Sequence, residues 1–159
     1  MNYLIGFGYD CHKIVKNKTL FLGGVQLDVS FGLKGHSDGD VVLHSICDAI
    51  LSACGLPDIG ELFPDNLKET KNISSKLIVE KVIKLLKEKK GKILNIDVTL
   101  ICDKPKVSEY KTKILSSLRK LFGVQNVNLK GKTTEGMKCF KNYIQCFSIV
   151  FLHLKKLKN

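Results

Sequence analysis

The chain has 159 residues, 44% of them apolar and 26% charged, a balance that excludes disordered and collagenous classes and leaves room for about one domain. Lysine and arginine outnumber aspartate and glutamate by 26 to 15, and the resulting +11 admits nucleic acid, an anionic membrane or a phosphorylated small molecule as partner. Arg119 is the only arginine and there is no tryptophan, which argues against sequence-specific nucleic-acid reading, a task suited to bidentate guanidinium contacts. Lysine clusters at 87–92 and 155–158 read as solvated faces.

In chain order, Tyr3 to Tyr9 predicts an opening strand, and Leu20 to Leu22 before Gly23 and Gly24 predicts short strands about turns. No basic region or long apolar run precedes the first strand, so no secretory signal is expected. Ser37 and Asp40 resemble a capping box, followed by a helical stripe of Val41, Ile46, Ala49, Ile50 and Ala53 that stops at Gly55 and Pro57. Residues 58–74 read as a long polar loop. A second helix is expected from Ser75 to Glu88, a strand from Ile93 to Cys102, and a third helix from Glu109 to Phe122 closed by Gly123. Val127 to Lys130 and Tyr143 to Leu154 complete the strands, and the apolar run from Ile144 is too short to span a bilayer. With no repeat and no linker, the expectation is one α+β domain over residues 1–159, a mixed or antiparallel sheet covered by helices.

Asp10 and His12 lie two apart at the end of the first strand, so their side chains are expected on one side. His44 lies on the first helix with Asp48 four residues later, within reach to orient the His44 ring. Two histidines and a carboxylate make a three-ligand zinc set, while capping and core-polar roles account for the same residues as simply. The run Gly35-His36-Ser37-Asp38-Gly39-Asp40 places polar groups beside a helix N-terminus, where phosphate is favoured and where Ser37 equally serves as a cap. Gly6-Phe7-Gly8-Tyr9-Asp10 begins like a dinucleotide fingerprint, but Cys11 stands where the third glycine belongs, so that reading fails. Lys130-Gly131-Lys132-Thr133-Thr134-Glu135 suits phosphate oxygens and a magnesium ion, or else starts a helix with Thr133 or Thr134 as cap. The six cysteines contain no C-x-x-C pair and read as buried, reduced thiols.

Taken together and in order, these segments resemble the 2-C-methyl-D-erythritol 2,4-cyclodiphosphate synthase family of the non-mevalonate isoprenoid pathway. The resemblance is carried by Ser37-Asp38-Gly39-Asp40-Val41-Val42-Leu43-His44-Ser45-Ile46-Cys47-Asp48-Ala49-Ile50-Leu51, with Gly6 to His12, Leu22 to Val25, Asp58-Ile59-Gly60, Phe63-Pro64-Asp65, Pro105-Lys106 and Thr133-Thr134-Glu135. It implies a ferredoxin-like fold with helices on one face of the sheet, a homotrimer with active sites at subunit interfaces, and an enzyme that closes a cyclic diphosphate and expels CMP. By the same resemblance Asp10, His12 and His44 hold zinc, Asp48 supports His44, and Glu135 holds magnesium or manganese. His36 and Thr133 stabilise the transition state; Asp10, His12, His36, Ser37, Asp58, Ile59, Gly60, Phe63, Pro64, Asp65, Lys106, Thr133, Thr134 and Glu135 contact a cytidine diphosphate substrate. No nucleic acid or membrane partner is implied, and the compartment is the bacterial cytoplasm, or the plastid stroma if a transit peptide has been removed.

The chain departs from the family pattern in several places. Ser45 and Ser52 stand for alanine and glycine, which should perturb only packing, and Lys132 stands for a threonine. Between Cys102 and Ser108 only Pro105 and Lys106 match well. The 136–145 segment lacks the family's arginine near the trimer axis, so a secondary isoprenoid-diphosphate site there is not carried over. Two other readings remain: a zinc-dependent phosphohydrolase, which would release inorganic phosphate, and a basic RNA-binding module, for which the aromatic strand motif is missing.

Overall fold

A computed structural model of the chain describes residues 2–35, 37–64 and 73–155. Its elements are β1 (Asn2–Lys16), β2 (Leu20–Leu22), β3 (Val25–Leu27), β4 (Phe31–Leu33), α1 (Val41–Ala53), α2 (Ile59–Leu62), α3 (Ser75–Glu88), β5 (Gly91–Ile101), α4 (Val107–Phe122), β6 (Val127–Lys132) and β7 (Tyr143–Leu154), with a short 3-10 turn at Lys138–Phe140. Five strands form one sheet in the order β4-β1-β7-β5-β6, and β2 and β3 form a separate hairpin. β7 pairs antiparallel with both β1 and β5, whereas β5 and β6 run parallel, as a strand–helix–strand crossover through α4 requires. The mixed α+β architecture expected from the sequence is therefore present.

Alternation along the central strands decides which face is covered. Ile144, Cys146, Ser148, Val150 and Leu152 of β7 are buried, as are Ile96, Val98 and Leu100 of β5, and α1, α3 and α4 pack on that side. The opposite face carries Tyr3, Ile5, Phe7, Tyr9 and Ile149, with Ile5 71% and Phe7 57% exposed. Aromatic rings line this open face, Tyr3 stacking on Phe151 at 5.4 Å and Tyr9 tilted against Phe147 at 4.8 Å.

Gly6 and Gly8 explain how α1 sits so close to β1. A Cβ on Gly6 would fall 1.8 Å from the Ala49 carbonyl oxygen, and one on Gly8 1.9 Å from that of Ser45. The two glycines that resemble the start of a nucleotide loop are a flat seat for a helix backbone. Ser45, standing where the family has alanine, is buried at this seat and shares a 2.7 Å hydrogen bond with Ser148 Oγ, beside Cys146.

The cap of α1 differs from the expected capping box. Asp40, not Ser37, is the N-cap: its Oδ1 accepts the Val42 and Leu43 N–H groups at 3.1 Å, and its two oxygens also accept from Gly23 at 2.8 Å and Gly24 at 2.6 Å. Burial pushes this carboxyl up, while the Gly24, Leu43 and Gly23 N–H donors pull it down. One fully buried carboxylate thus ties the β2–β3 turn to the start of α1. The Thr133–Glu135 segment starts no α-helix either; Glu135 has a φ of 50°, and a turn leads into the 3-10 residues. Within the polar 58–74 stretch, Asp58 caps the one-turn α2 through Glu61 N–H at 2.9 Å, and Ser74 caps α3. Among the described residues, no helix is long and apolar enough to cross a membrane.

Candidate active site

The face of β1 that carries Gly6 and Gly8 continues to Asp10 and His12, because residues two apart in a strand point the same way. The glycines draw α1 onto this face, and His44 on α1 arrives above Asp10. His44 Nδ1 lies 2.9 Å from Asp10 Oδ2, His12 Nε2 lies 3.2 Å from the same oxygen, and the two ring nitrogens are 3.5 Å apart. Asp10 and His12 keep about a fifth of their side-chain surface open (19% and 21%), whereas His44 keeps 8%. The site thus has a solvent side and a protein side.

These three atoms form a triangle with the dimensions of one face of a metal tetrahedron. Ligands at zinc distances of about 2.0–2.1 Å are separated by about 3.4 Å, the edge of a regular tetrahedron. Among the described residues this is the one group of three or more His, Cys, Asp or Glu side chains able to hold an ion. Burial raises the Asp10 carboxyl, but hydrogen bonds from His12 and His44 outweigh it and hold Asp10 well below the usual carboxylate range. Burial lowers the His44 imidazole, and the Asp10 hydrogen bond overcomes it, so the net shift is upward. An anionic oxygen shared by two imidazoles is the charge arrangement a divalent cation would take over.

The cysteines do not compete for this role. Four of the six are buried, and burial pushes the Cys102 and Cys146 thiols up to about 12 and Cys47 well above its usual value, disfavouring thiolate.

The far side of His44 is held by hydroxyls. His44 Nε2 lies 3.1 Å from Ser37 Oγ and 2.8 Å from Ser75 Oγ. The expected support from Asp48 is not what the fold provides: Asp48 Oδ1 accepts the Ile59 N–H at 2.9 Å. Both His44 nitrogens already face closer partners, and Asp48, one turn further along α1, anchors α2 instead. That anchor keeps α2, with Ile59, Gly60 and its caps Asp58 and Phe63, beside α1, and Pro64 follows half-buried. His36 and Asp65 lie outside the described residues.

A second cluster forms where β5 and β6 end. Lys106 at the start of α4, Asp103, Lys111, Lys132 and Thr133 line a cleft with an excess of cations, suited to a phosphate. Asp103 accepts both the N–H and the hydroxyl of Thr134, each at 2.8 Å, which leaves Thr134 only 2% exposed. These two bonds, the N–H first, lower the Asp103 carboxyl. Thr133 donates its hydroxyl to Glu135. The two clusters stand at one level of the sheet, since Asp10 pairs with Cys146, Cys146 with Leu100, and Leu100 with Gly131. Three strand spacings separate them, about 14 Å.

Ser75 and Asp103 are the residues that sequence reasoning passes over in these clusters, and Asp38 is read only as part of the polar run before α1. The doublet Ser74-Ser75 before an apolar helix and an aspartate at the end of a strand are the only local signals for the first two, and neither specifies a partner.

Fold and site define a mixed α+β protein in which a strand and a helix bring together Asp10, His12 and His44, a group that could hold a metal ion. The chain belongs to the YgbB family, whose model matches residues 3–153. It is 46% identical to 2-C-methyl-D-erythritol 2,4-cyclodiphosphate synthase of Aquifex aeolicus (strain VF5), over 96% of this chain and 98% of that one. It is 41% identical to the enzyme of the same name from Fusobacterium nucleatum, with the same coverage. Its fold is similar to a 2C-methyl-D-erythritol-2,4-cyclodiphosphate synthase structure in a CDP-bound form, with a TM-score of 0.88 and 32% identity over 94% of this chain and 99% of that one. It is also similar to IspF of Plasmodium falciparum in complex with CDP, with a TM-score of 0.83 and 35% identity over 98% of both chains.

Proposed function

We propose that the chain is a lyase of non-mevalonate isoprenoid biosynthesis that converts 4-diphosphocytidyl-2-C-methyl-D-erythritol 2-phosphate to 2-C-methyl-D-erythritol 2,4-cyclodiphosphate and CMP. An oxygen of the 2-phosphate attacks the β-phosphorus, one P–O bond forms, and the bond from the β-phosphorus to the bridging oxygen breaks as CMP leaves with that oxygen. The observation that carries this reading is the convergence of Asp10, His12 and His44 within 3.5 Å in a YgbB-family chain.

Attacking and leaving groups are both phosphate oxygens, so the work is positioning and charge neutralisation rather than proton transfer. Asp10, His12 and His44 would hold zinc, and Glu135 magnesium or manganese; the ions supply Lewis acidity toward the phosphate oxygens. His36 and Thr133 stabilise the charge that develops at the β-phosphoryl group. Ser37, Asp58, Ile59, Gly60, Phe63, Pro64 and Asp65 hold the methylerythritol portion. Lys106 meets the cytidine diphosphate end. Thr134 has both protons committed to Asp103, so it serves by fixing the turn that presents Thr133 and Glu135.

The active unit is a homotrimer in a soluble compartment, the bacterial cytoplasm or the plastid stroma. Two observations support the assembly. The open aromatic face of β1 and β7 needs a partner. The spacing of about 14 Å between the two clusters exceeds what one diphosphate spans, so Thr133 to Glu135 act on the metal centre of a neighbouring subunit.

Turnover tests the reading. With zinc and magnesium present, phosphorus NMR of the purified protein and its substrate should show CMP and cyclic diphosphate in equal amounts. Inorganic phosphate without ring closure would identify a phosphohydrolase instead, and no reaction would overturn the enzyme reading.

A further inference from the structure

Ser75 opens α3 and is fully buried. Its N–H donates to Asp38 Oδ2 at 3.0 Å, and its hydroxyl donates to Asp38 Oδ1. A serine has one hydroxyl proton, and here the carboxylate takes it. The same Oγ lies 2.8 Å from His44 Nε2, toward which it has only a lone pair left to offer. Two acceptors without a proton between them would repel, so Nε2 must carry one. Ser37 Oγ, which already accepts the Gly39 N–H at 3.1 Å, lies 3.1 Å from Nε2 on the same side and has a second lone pair able to accept that proton. Nδ1 faces the Asp10 carboxylate at 2.9 Å and by the same argument carries a proton in the metal-free protein; a metal taken up there would displace that Nδ1 proton, while the proton on Nε2 stays on the Ser75 side.

We propose that Ser75, anchored by Asp38, is a positioning residue that keeps a proton on His44 Nε2 and so leaves Nδ1 as the nitrogen whose lone pair a metal can take. The inference rests on the metal reading given above. It assigns a function to the junction between the 37–40 segment and α3, which local spacing does not connect. A hydroxyl-linked carboxylate behind a ligating histidine also raises the ligand's basicity, and loss of such partners typically weakens metal binding about 10–100-fold.

Two measurements test this, neither of which reads turnover. In metal-free protein with nitrogen-15 labelled histidine, two-bond correlation spectra should show His44 protonated at Nε2; a neutral ring with its only proton on Nδ1 would overturn the proposal. In competition with a chromophoric chelator, Ser75→Ala should bind zinc about 10–100-fold more weakly than wild type. Ser75→Thr, which keeps the hydroxyl, should recover most of that loss. Wild-type affinity in Ser75→Ala would overturn the proposal. A wild-type protein that takes up no zinc would remove the metal reading itself, and the nitrogen-15 spectrum would still decide the relay.

Discussion

Gly8→Ala tests the link between backbone packing and site chemistry. The added Cβ would stand 1.9 Å from the Ser45 carbonyl oxygen and 2.7 Å from the Ala49 nitrogen, where ordinary contact begins at 3.4 Å. Both neighbours are helix backbone and cannot rotate aside, so α1 must lift from β1 by up to about 1.5 Å, the shortfall on the closer contact. Overpacking of this kind costs about 3 kcal/mol. For a chain of this size that lowers Tm by about 6–12 °C. His44 precedes Ser45 and would move with it, away from the Asp10 oxygen now 2.9 Å distant. A misplacement of about 1 Å costs on the order of 100-fold where several groups must converge, and zinc affinity should fall by that order. Thermal melts and zinc titration of Gly8→Ala are compared with Gly55→Ala, whose φ of 61° is strained for alanine but whose Cβ meets nothing within 4 Å. The control should lose about 1–2 kcal/mol and no zinc affinity. If Gly8→Ala binds zinc like wild type and melts no lower than the control, the seat has been misread.

Three further outcomes follow from named contacts. Asp40→Ala strands four N–H groups, those of Gly23, Val42 and Leu43, all buried, and of half-buried Gly24, and should cost roughly 3 kcal/mol or more in urea unfolding, beyond an ordinary cap deletion. Asp103→Ala frees Thr134 and should raise KM for the cytidylylated substrate about tenfold, as measured by CMP release. Because the Asp103 carboxyl is lowered in the fold, its stabilising contribution is complete above about pH 4, the unfolded value, and is lost as pH falls through the lower folded value. Acid unfolding curves of Asp103→Ala should therefore be flatter than wild type in that window. Ser45→Ala alone should cost about 1–2 kcal/mol by leaving buried Ser148 with only the Cys146 sulfur at 3.9 Å, whereas adding Ser148→Ala should recover part of that cost, a coupling that a double-mutant cycle measures.

Alternation and helical periodicity carry much of the fold in the sequence. The strand character of residues 3–9, the apolar stripe after Val41 and the stop at Gly123 each point to one element, and each element is present, although β1 runs on to Lys16 and so holds Asp10 and His12 within the strand rather than at its end. Asp10 and His12 are readable as neighbours because a strand puts i and i+2 on one face. What a local pattern cannot show is a partner far along the chain. Helix spacing matches His44 with Asp48, yet Asp10, 34 residues earlier, and Ser75, 31 residues later, take the two ring nitrogens. Ser37 looks like the cap because it stands three residues before Asp40, but Asp40 also reaches the Gly23–Gly24 turn and wins the cap by accepting four donors at once. Gly6 and Gly8 show the converse: their spacing suggests a nucleotide loop, and only the approach of α1 reveals their use. The resemblance across many ordered motifs supplies the substrate, which no single motif does.

Crystals grown with zinc and CDP, with diffraction recorded on either side of the zinc edge, test the account at its centre. One anomalous peak is expected per subunit, about 2.0–2.1 Å from an Asp10 carboxylate oxygen, His12 Nε2 and His44 Nδ1. Thr133 to Glu135 beside the diphosphate should come from a neighbouring copy. A peak on the cysteines, or a diphosphate held away from Asp10, His12 and His44, would contradict this arrangement.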